Sequence, residues 1–475
     1  MTSIEPTPAG EAAADLSAQP AGRASSIRPA LAAFLSFVWP GFGQALNGNG
    51  RRAWVQAIPP ALIVAALIFL VLAIGPLVFG LHLLNPVVSI GLIGVIAALA
   101  IWRSYSIVDA ARPRTAVATL VAVVLIVATV ASHAWLANNA FAFYEAGQRI
   151  SQPIVVALPP PGVTPEPTLS GTLAPGESAG PTPAGTPDTS PLPGSDRRVT
   201  VLLVGVDNTH AAERGLTDTL IVASFDPVDH SLSMISMPRD TARLPFYSGG
   251  EFRPRINNLL QTAARNPEQY PDGAMETLVN EMSYIVGVPI DYYAQIDIAG
   301  FTALVDMVGG VDVTLDAPIV DATYQFSPTE TGFFLPAGTH HLDGKLATAY
   351  ARSRHGPGNS DYERARRQQQ ILLALRTKLN DPRLMTNLPG VLYVLSNIVR
   401  TDAPLDRLPD IVSIALASAT AEPTRVVLSP PRYAERAFNA GGEATSMTQL
   451  RMDAVAELSI QLFGNDSRYA TEPSN

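Results

Sequence analysis

No Asp, Glu, Lys or Arg occurs between Ala53 and Trp102, and none between Thr115 and Tyr144. A run of roughly 20 apolar residues is enough to cross a bilayer as a helix. The first stretch therefore has room for two crossings and the second for one. The spans predicted are residues 54–79, 83–102 and 115–137, with Gly80, Asn85 and Pro86 turning the chain between the first two. Arg23, Arg28, Arg51 and Arg52 precede the first span, and Arg103, Arg112 and Arg114 lie between the second and third. Cationic loops stay on the cytoplasmic side. This bias places the N-terminus inside and everything after the third span outside. Residues 29–46, apolar around Pro40-Gly-Phe-Gly-Gln44, read as a re-entrant or interfacial element of a membrane region extending over 29–144. Residues 1–28 read as a disordered cytoplasmic N-terminus.

Residues 151–196 hold twelve prolines among Gly, Thr and Ser, a composition for an extended extracellular linker. Residues 197–475 then form one outer domain with its own core. Without cysteine, it has no disulfide, thiolate metal site or cysteine nucleophile. The net charge of −9 argues against non-specific nucleic-acid binding. Only two of the 32 basic residues are lysine, so a lone arginine means little and only clustering informs.

In the outer domain, 199–206, 219–225, 231–236, 290–296 and 311–315 read as strands. Residues 272–287, 298–308, 343–349, 361–380, 388–399, 405–417 and 446–463 read as helices. Strands and helices mix without strict alternation, which predicts an α/β (α+β) sandwich with a central mixed β-sheet flanked by helices.

Two patterns carry chemistry. Asp207 ends one predicted strand and Asp218 opens the next; if these pair antiparallel, both carboxylates sit at one sheet edge, where Arg239 also arrives. That set suits Mg²⁺ and phosphate, because Mg²⁺ takes one or two carboxylates and fills its shell with phosphate oxygens and water. The plainer reading is that the aspartates cap loops and Arg239 salt-bridges one of them. The second pattern is five arginines within Arg352–Arg367. At helical spacing, Arg364, Arg367 and Gln368 extend the apolar stripe of Ile371, Leu372, Leu375 and Leu379 backwards, while Arg366 and Gln370 point away. Buried cations need an anion. Arg352 and Arg354, if extended, share a face about 7 Å apart, and the guanidinium fork suits phosphate oxygens. Their plainer role is a surface pairing with Asp361 and Glu363. His340, His341 and His355 lack metal-ligand spacing and read as loop residues.

Six segments occur in an order that resembles the LytR–CpsA–Psr (LCP) family of cell-envelope phosphotransferases. They are Leu202-Leu-Val-Gly-Val-Asp207, Leu216-Thr-Asp-Thr-Leu220, Ser236-Met-Pro-Arg-Asp240, Arg255-Ile-Asn-Asn258, Ile298-Ala-Gly-Phe301 with Val308-Gly-Gly-Val-Asp-Val313, and Tyr350-Ala-Arg-Ser-Arg354 with Asp361-Tyr-Glu-Arg-Ala-Arg-Arg-Gln-Gln369. The resemblance spans about 197–380. It implies a transferase that moves a glycopolymer from a polyprenyl-pyrophosphate carrier to peptidoglycan, at the membrane and outside the cell. It further implies Mg²⁺, or Mn²⁺ in its place, on Asp207 and Asp218. The implied pyrophosphate ligands are Arg239, Arg352, Arg354, Arg364, Arg367 and Gln368, with Asp361 orienting an arginine. Asp207, Asp218, Arg239 and Arg364 would be the catalytic group. A base is not evident beyond the two aspartates. The family's usual Lys is Arg255 here, and Tyr362-Glu363 replaces Phe-Gly, adding a negative charge near the site. Three membrane helices rather than one are also a departure. Apolar walls for a lipid tail are expected from 272–287, 298–308 and 371–379. A phosphatase using water, an envelope regulator and a non-enzymatic scaffold are the competing readings.

Overall fold

The computed structural model describes residues 24–112, 115–152, 197–207, 215–379, 388–417, 422–438 and 444–470. Nearly all of the predicted linker and most of the N-terminal segment lie outside these. The chain divides into two compact units, one of residues up to 73 with 90–141, the other of 74–89 with 142 onwards.

The first unit is helical. Ala24–Val38 (α1) and Phe42–Leu46 (α2) occupy the predicted re-entrant region, so a helix begins within the stretch expected to be disordered. Gly41 turns the chain between them at φ 100°, and a Cβ on Gly43 would lie 2.0 Å from the Ala32 carbonyl oxygen. Glycine is therefore required in Pro-Gly-Phe-Gly-Gln for the backbones to touch. Gly50–Ile74 (α3) is followed along the chain by Pro76–His82 (α4), which belongs to the second unit, and then by Pro86–Ala110 (α5) and Ala116–Ile150 (α6). α3, α5 and α6 are long and apolar enough to cross a membrane. The first stops at Ile74 rather than 79, because Gly75 takes φ 82° and Pro76 opens a new helix. Within this unit, Asp109 accepts hydrogen bonds from Gln44 and Gln56 at 3.3 and 3.2 Å.

The second unit is built on a mixed sheet. Its chain order is Val199–Asp207 (β1), Leu216–Asp226 (β2), Ser231–Ser236 (β3), Leu244–Pro245 (β4), Glu251–Phe252 (β5), Leu259–Arg265 (α7), Ala274–Val286 (α8), Tyr292–Asp297 (β6) and Ile298–Met307 (α9). Val311–Leu315 (β7), Ile319–Ser327 (β8), Glu330–Leu335 (β9), Gly338–Leu342 (β10), Gly344–Arg352 (α10) and Asp361–Leu379 (α11) follow. Leu388–Ile398 (α12), Val399–Thr401 (β11), Leu408–Ala417 (α13), Thr424–Val427 (β12), Ala434–Phe438 (β13), Ala444–Leu450 (β14) and Met452–Phe463 (α14) complete it. The central sheet runs β11-β6-β1-β2-β3-β12, with β6 parallel to β1 and β2 antiparallel to it.

Side chains alternate across a strand. Leu202, Val204 and Val206 enter a core with Leu278, Met282 and Leu458 from α8 and α14. Ile221, Ala223, Leu232 and Met234 face the other way, against Leu372 and Leu373 of α11. A third core joins α9, α10 and α11 to the hairpins β7–β10 and β8–β9. The expected sandwich is thus present. One predicted helix is corrected: 446–463 is strand β14 followed by α14. The segment Ala-Thr-Ser-Met-Thr-Gln-Leu alternates with period two and pairs with β13, and that pairing overrides its apolar continuity with the helix. His340 and His341 lie on β10, not in a loop.

Candidate active site

β1 and β2 pair residue for residue until Gly205 meets Thr219; Val206 then meets Thr217, so Asp218 is the extra residue of a β-bulge. A bulge breaks the ladder and re-aims one side chain. Asp218 is turned to meet Arg239, whose Nη1 donates to Asp218 Oδ1 at 2.7 Å. Arg239 arrives there because β3 runs back beside β2 and ends one turn before Pro238-Arg239-Asp240. Asp207, the last residue of β1, is buried and accepts from Arg352 Nη2 at 2.5 Å.

Helix α11 supplies the remaining cations. Asp361 in its first turn lies 3.0 Å from Arg364 Nη2 and 3.8 Å from Arg239 Nε. Arg364 and Arg367 are buried, whereas Arg366 is exposed and pairs with Glu363. Burial, then repulsion from Arg239, lowers the Arg364 pKa, and Asp361 offsets this only in part. Burial also opposes the charge on Arg239, but Asp218, with Asp240 and Asp361, outweighs it and raises that pKa. Arg364, unlike Arg239, is thus a guanidinium whose charge its surroundings do not fully compensate, and a bound anion would repair the deficit. Arg367 turns the other way, donating to Asn359 Oδ1 at 2.6 Å and to the Ser353 carbonyl.

The segment carrying Arg352 and Arg354 is clamped from below. Asp321 on β8, 1% exposed, accepts from Ser353 Oγ at 3.0 Å and from the backbone N–H groups of Arg354 and His355 at 3.2 Å each. Thr323 donates twice more. Burial works against this carboxylate, yet these hydrogen bonds prevail and hold its pKa below the ordinary value. Gln368 donates to the Ala351 carbonyl at 3.3 Å, tying α11 to the end of α10.

A cavity of about 440 Å³ opens among these groups. Asp218, Arg239, Arg352, Arg354, Arg364 and Gln368 are among its polar walls. Leu203, Ile296, Phe301, Leu304, Ile371 and Leu372 are among its apolar walls. The lining is therefore amphiphilic, joining cationic and apolar side chains round one space.

The LytR_cpsA_psr family model matches residues 180–429, more than half of the sequence. The chain belongs to the LytR–CpsA–Psr family. It is 32% identical over 213 residues to the polyisoprenyl-teichoic acid–peptidoglycan teichoic acid transferase TagU of Halalkalibacterium halodurans, covering 45% of this chain and 64% of that protein. The regulatory protein MsrR of Staphylococcus aureus is 29% identical over 213 residues, covering 44% and 58%. The chain thus spans under two thirds of either relative. Among solved structures, B. subtilis TagV superposes with a TM-score of 0.44 at 21% identity, covering 59% of this chain and 99% of that one. TagT bound to LI-WTA gives a TM-score of 0.41 at 21% identity, covering 57% and 90%.

Of the residues that the LCP resemblance nominates, Asp218, Arg239, Arg352, Arg354, Arg364 and Gln368 line one cavity. Asp207 lies beneath Arg352 and Asp361 beside Arg364 and Arg239; neither lines that cavity. Arg367 is buried among backbone partners instead. Arg352 is the last residue of α10 rather than part of an extended stretch, and it pairs with Asp207, not with Asp361 or Glu363. Arg239 does make the plain salt bridge expected of it, to Asp218. The added charge of Glu363 faces Arg366 on the outside and lines no part of the cavity. Of the expected lipid walls, α9 and the start of the 371–379 segment line the cavity, but α8 does not; it packs on the opposite face of the sheet. Gln370, expected to point away, accepts from the Tyr350 hydroxyl at 2.6 Å and donates to Thr314. Sequence reasoning missed Asp321, Tyr324, His355 and Asp240. Asp240 had a visible signal, its place beside Arg239, whereas the others are brought in by hairpin and loop packing.

Proposed function

We propose that this chain is a membrane-anchored phosphotransferase that moves a glycopolymer from a polyprenyl-pyrophosphate carrier to peptidoglycan outside the membrane. The observation that carries this reading is the amphiphilic cavity. The buried, under-compensated Arg364 and the part-buried Arg239 and Arg352 share its lining with a set of apolar side chains. An isoprenoid diphosphate combines the same two kinds of part. The match to TagU, named for a transfer from a polyisoprenyl carrier to peptidoglycan, supports the substrate class. Three helices long and apolar enough to cross a membrane support the anchor, and the arginine bias favours an N-terminus inside and a catalytic unit outside.

In this mechanism Arg239, Arg352, Arg354 and Arg364 bind and orient the diphosphate. Their donors are fixed before substrate arrives, so charge building on the leaving lipid phosphate meets dipoles that need no reorganisation. Asp361 holds Arg364 and Arg239 in register. The donor set at Asp207 and Asp218 fits a hard, oxygen-seeking cation, because two carboxylates meet at one sheet edge and the phosphates would complete the shell. Among the described residues no cluster of three or more His, Cys, Asp or Glu is built to hold a metal alone. Mg²⁺, or Mn²⁺ in its place, bound at Asp218 and Asp207 would supply charge neutralisation on the transferred phosphoryl group. The experiment is incubation of the full chain in detergent with polyprenyl-pyrophosphate-linked oligosaccharide, Mg²⁺ and peptidoglycan fragments, followed by mass spectrometry. A phosphodiester-linked sugar–peptidoglycan product, lost in Arg364→Ala and Asp218→Ala, is expected. Sugar phosphate alone would replace the transferase by a hydrolase, and donor binding without turnover would replace it by a scaffold.

A further inference from the structure

A second cavity, of about 340 Å³, abuts the first and shares Arg354 and His355 with it. Its other walls are Pro238, Asp240, Ser360, Asp361, Tyr362, Ser446 and Thr448. Apart from the proline and the Tyr362 ring, these are hydroxyls and carboxylates, and Arg354 and His355 add nitrogen groups, so the lining offers a hydroxylated ligand many partners and an isoprenoid tail few. The walls are fixed. The Thr448 N–H donates to the Asp240 carbonyl at 3.1 Å, and Ala242 N–H donates to the Thr448 carbonyl at 2.8 Å. Arg255, outside the lining, braces two of these walls, with Nε 3.2 Å from Asp240 Oδ1 and Nη2 donating to Ser446 Oγ at 3.0 Å. The Thr448 side chain is 8% exposed, and its hydroxyl makes no hydrogen bond of normal geometry among the described residues, with the Tyr362 side chain as its polar neighbour. A buried hydroxyl so weakly held gains by meeting a ligand hydroxyl.

We infer that this polar cavity is the acceptor subsite, which takes a pyranose of a glycan strand and presents its hydroxyl to the phosphorus, with Asp240 receiving the proton. The inference rests on the phosphotransfer reading and deepens it. The relation of the two cavities decides between the acceptor and the sugar of the donor. In-line displacement needs attacking and leaving oxygens on opposite sides of the phosphorus. The lipid phosphate leaves towards the apolar walls of the first cavity, so the attacking hydroxyl enters from the polar side, across Arg354 and Asp361. The step balances. The hydroxyl oxygen bonds to phosphorus, its proton passes to the Asp240 carboxylate, and the bond to the bridging oxygen breaks to release lipid monophosphate.

Asp240 suits the role better than its neighbour. The Asp361 carboxylate is already engaged by Arg364, at 3.0 Å, and lies 3.8 Å from Arg239. Asp240 faces Arg255, Arg239 and Asp361, with His355, Arg354 and Tyr362 on the surrounding walls. Burial, then the hydrogen bond to Asp361 and its repulsion, push the Asp240 carboxyl up to about 6, against the pull of both arginines. A base near that value is largely ionised at neutral pH and still accepts a proton readily.

The test uses the full chain in detergent, with Ser446→Ala and Thr448→Val singly and together. Ser446 is exposed and Thr448→Val is isosteric, so folding is preserved and is checked by thermal melting. The double variant is expected to raise the KM for a soluble N-acetylglucosamine–N-acetylmuramic acid oligosaccharide about ten-fold, the effect of losing one or two hydrogen bonds. The KM for the lipid-linked donor is expected to change less than two-fold. Asp240→Asn is expected to lower kcat and to remove the acid limb of the pH profile near 6, which a merely structural role would not move. A rise in donor KM instead would assign the cavity to the donor sugar and overturn the proposal, as would no change in either KM. If the unaltered chain turned over no donor, the transferase reading would fail by itself. Direct titration of the oligosaccharide by NMR would then decide the subsite. Binding weakened in the double variant would support it, and binding unaffected or absent would overturn it.

Discussion

Asp321 is the residue whose removal the structure makes most consequential outside the arginines themselves. Its carboxylate is buried and satisfies three backbone N–H groups, those of Thr323, Arg354 and His355, besides the hydroxyls of Ser353 and Thr323. In Asp321→Ala the hydroxyls can turn to other partners, but the backbone donors are fixed. Two or three stranded donors at roughly 1 kcal/mol each give a loss of about 3 kcal/mol. In a unit of this size 1 kcal/mol moves Tm by roughly 2 °C, so a fall of about 6 °C is expected at pH 7. The pH dependence follows from the sign of the shift. The folded pKa lies below the ordinary aspartate value, so the group contributes stability above that value and loses it as pH falls through the folded pKa. The Tm gap between parent and variant should therefore narrow as pH is lowered below about 4. Differential scanning fluorimetry of both chains in detergent measures this. A gap under 1 °C at pH 7 would refute the clamp, and a gap that persisted unchanged in acid would refute its electrostatic origin.

Three further outcomes are expected. Glu281 is buried in α8 with one oxygen accepting from the Tyr247 N–H at 3.1 Å, and burial pushes its carboxyl up to about 8. The fold then binds a proton that the unfolded chain releases, so stability declines as pH rises from about 4.5 to 8; Glu281→Gln should melt higher than the parent at pH 8 and not at pH 5. Gln369 is buried in α11 and donates to Ser236 Oγ at 2.8 Å and to the Val426 and Met234 carbonyls at 2.9 and 3.3 Å. Gln369→Leu should cost about 2 kcal/mol by chemical denaturation, through the stranded strand carbonyls. Arg255→Lys keeps the charge but not the fork that reaches both Asp240 and Ser446; acceptor KM should rise a few-fold in steady-state kinetics, with Tm nearly unchanged.

Much of the sheet was legible because its strands are short apolar runs. Ser231–Ser236 and Val311–Leu315 have the boundaries that alternation and turn residues give them. The site was legible where cations sat at helical spacing: Arg364 and Arg367 inward, Arg366 outward. What escaped depends on contacts distant in sequence. Asp321 lies on a hairpin that no periodicity flagged, and it matters only because the loop after α10 folds onto it. Gly356 shows how close that approach is, since a Cβ there would sit 1.9 Å from the Val320 carbonyl oxygen. The bulge at Asp218 was equally hidden, because Leu-Thr-Asp-Thr-Leu reads as an ordinary alternating strand. β14 was taken for helix because its apolar residues run on into those of α14, and only its partner β13 distinguishes the two.

Ion pairs hold two of the cavity's arginines in place. Arg239 and Arg352 each rest on a carboxylate, Asp218 and Asp207. A buried pair of this kind contributes little net stability, since desolvation consumes most of the attraction, but losing one partner is expensive. The aspartates thus keep the guanidinium groups charged and aimed while no substrate is present. On the proposed phosphotransfer reading, an incoming diphosphate would exchange one anion for another at small net cost, and a cation arriving with it would take up the carboxylates that the arginines release. Arg364 departs from this balance, since Asp361 is divided between it and Arg239. Its unmet charge gives the phosphate a net reason to bind, and the others give it a geometry to bind in. Arg364→Lys should therefore weaken donor affinity more than the same change at Arg352, where Asp207 supplies its own counter-charge.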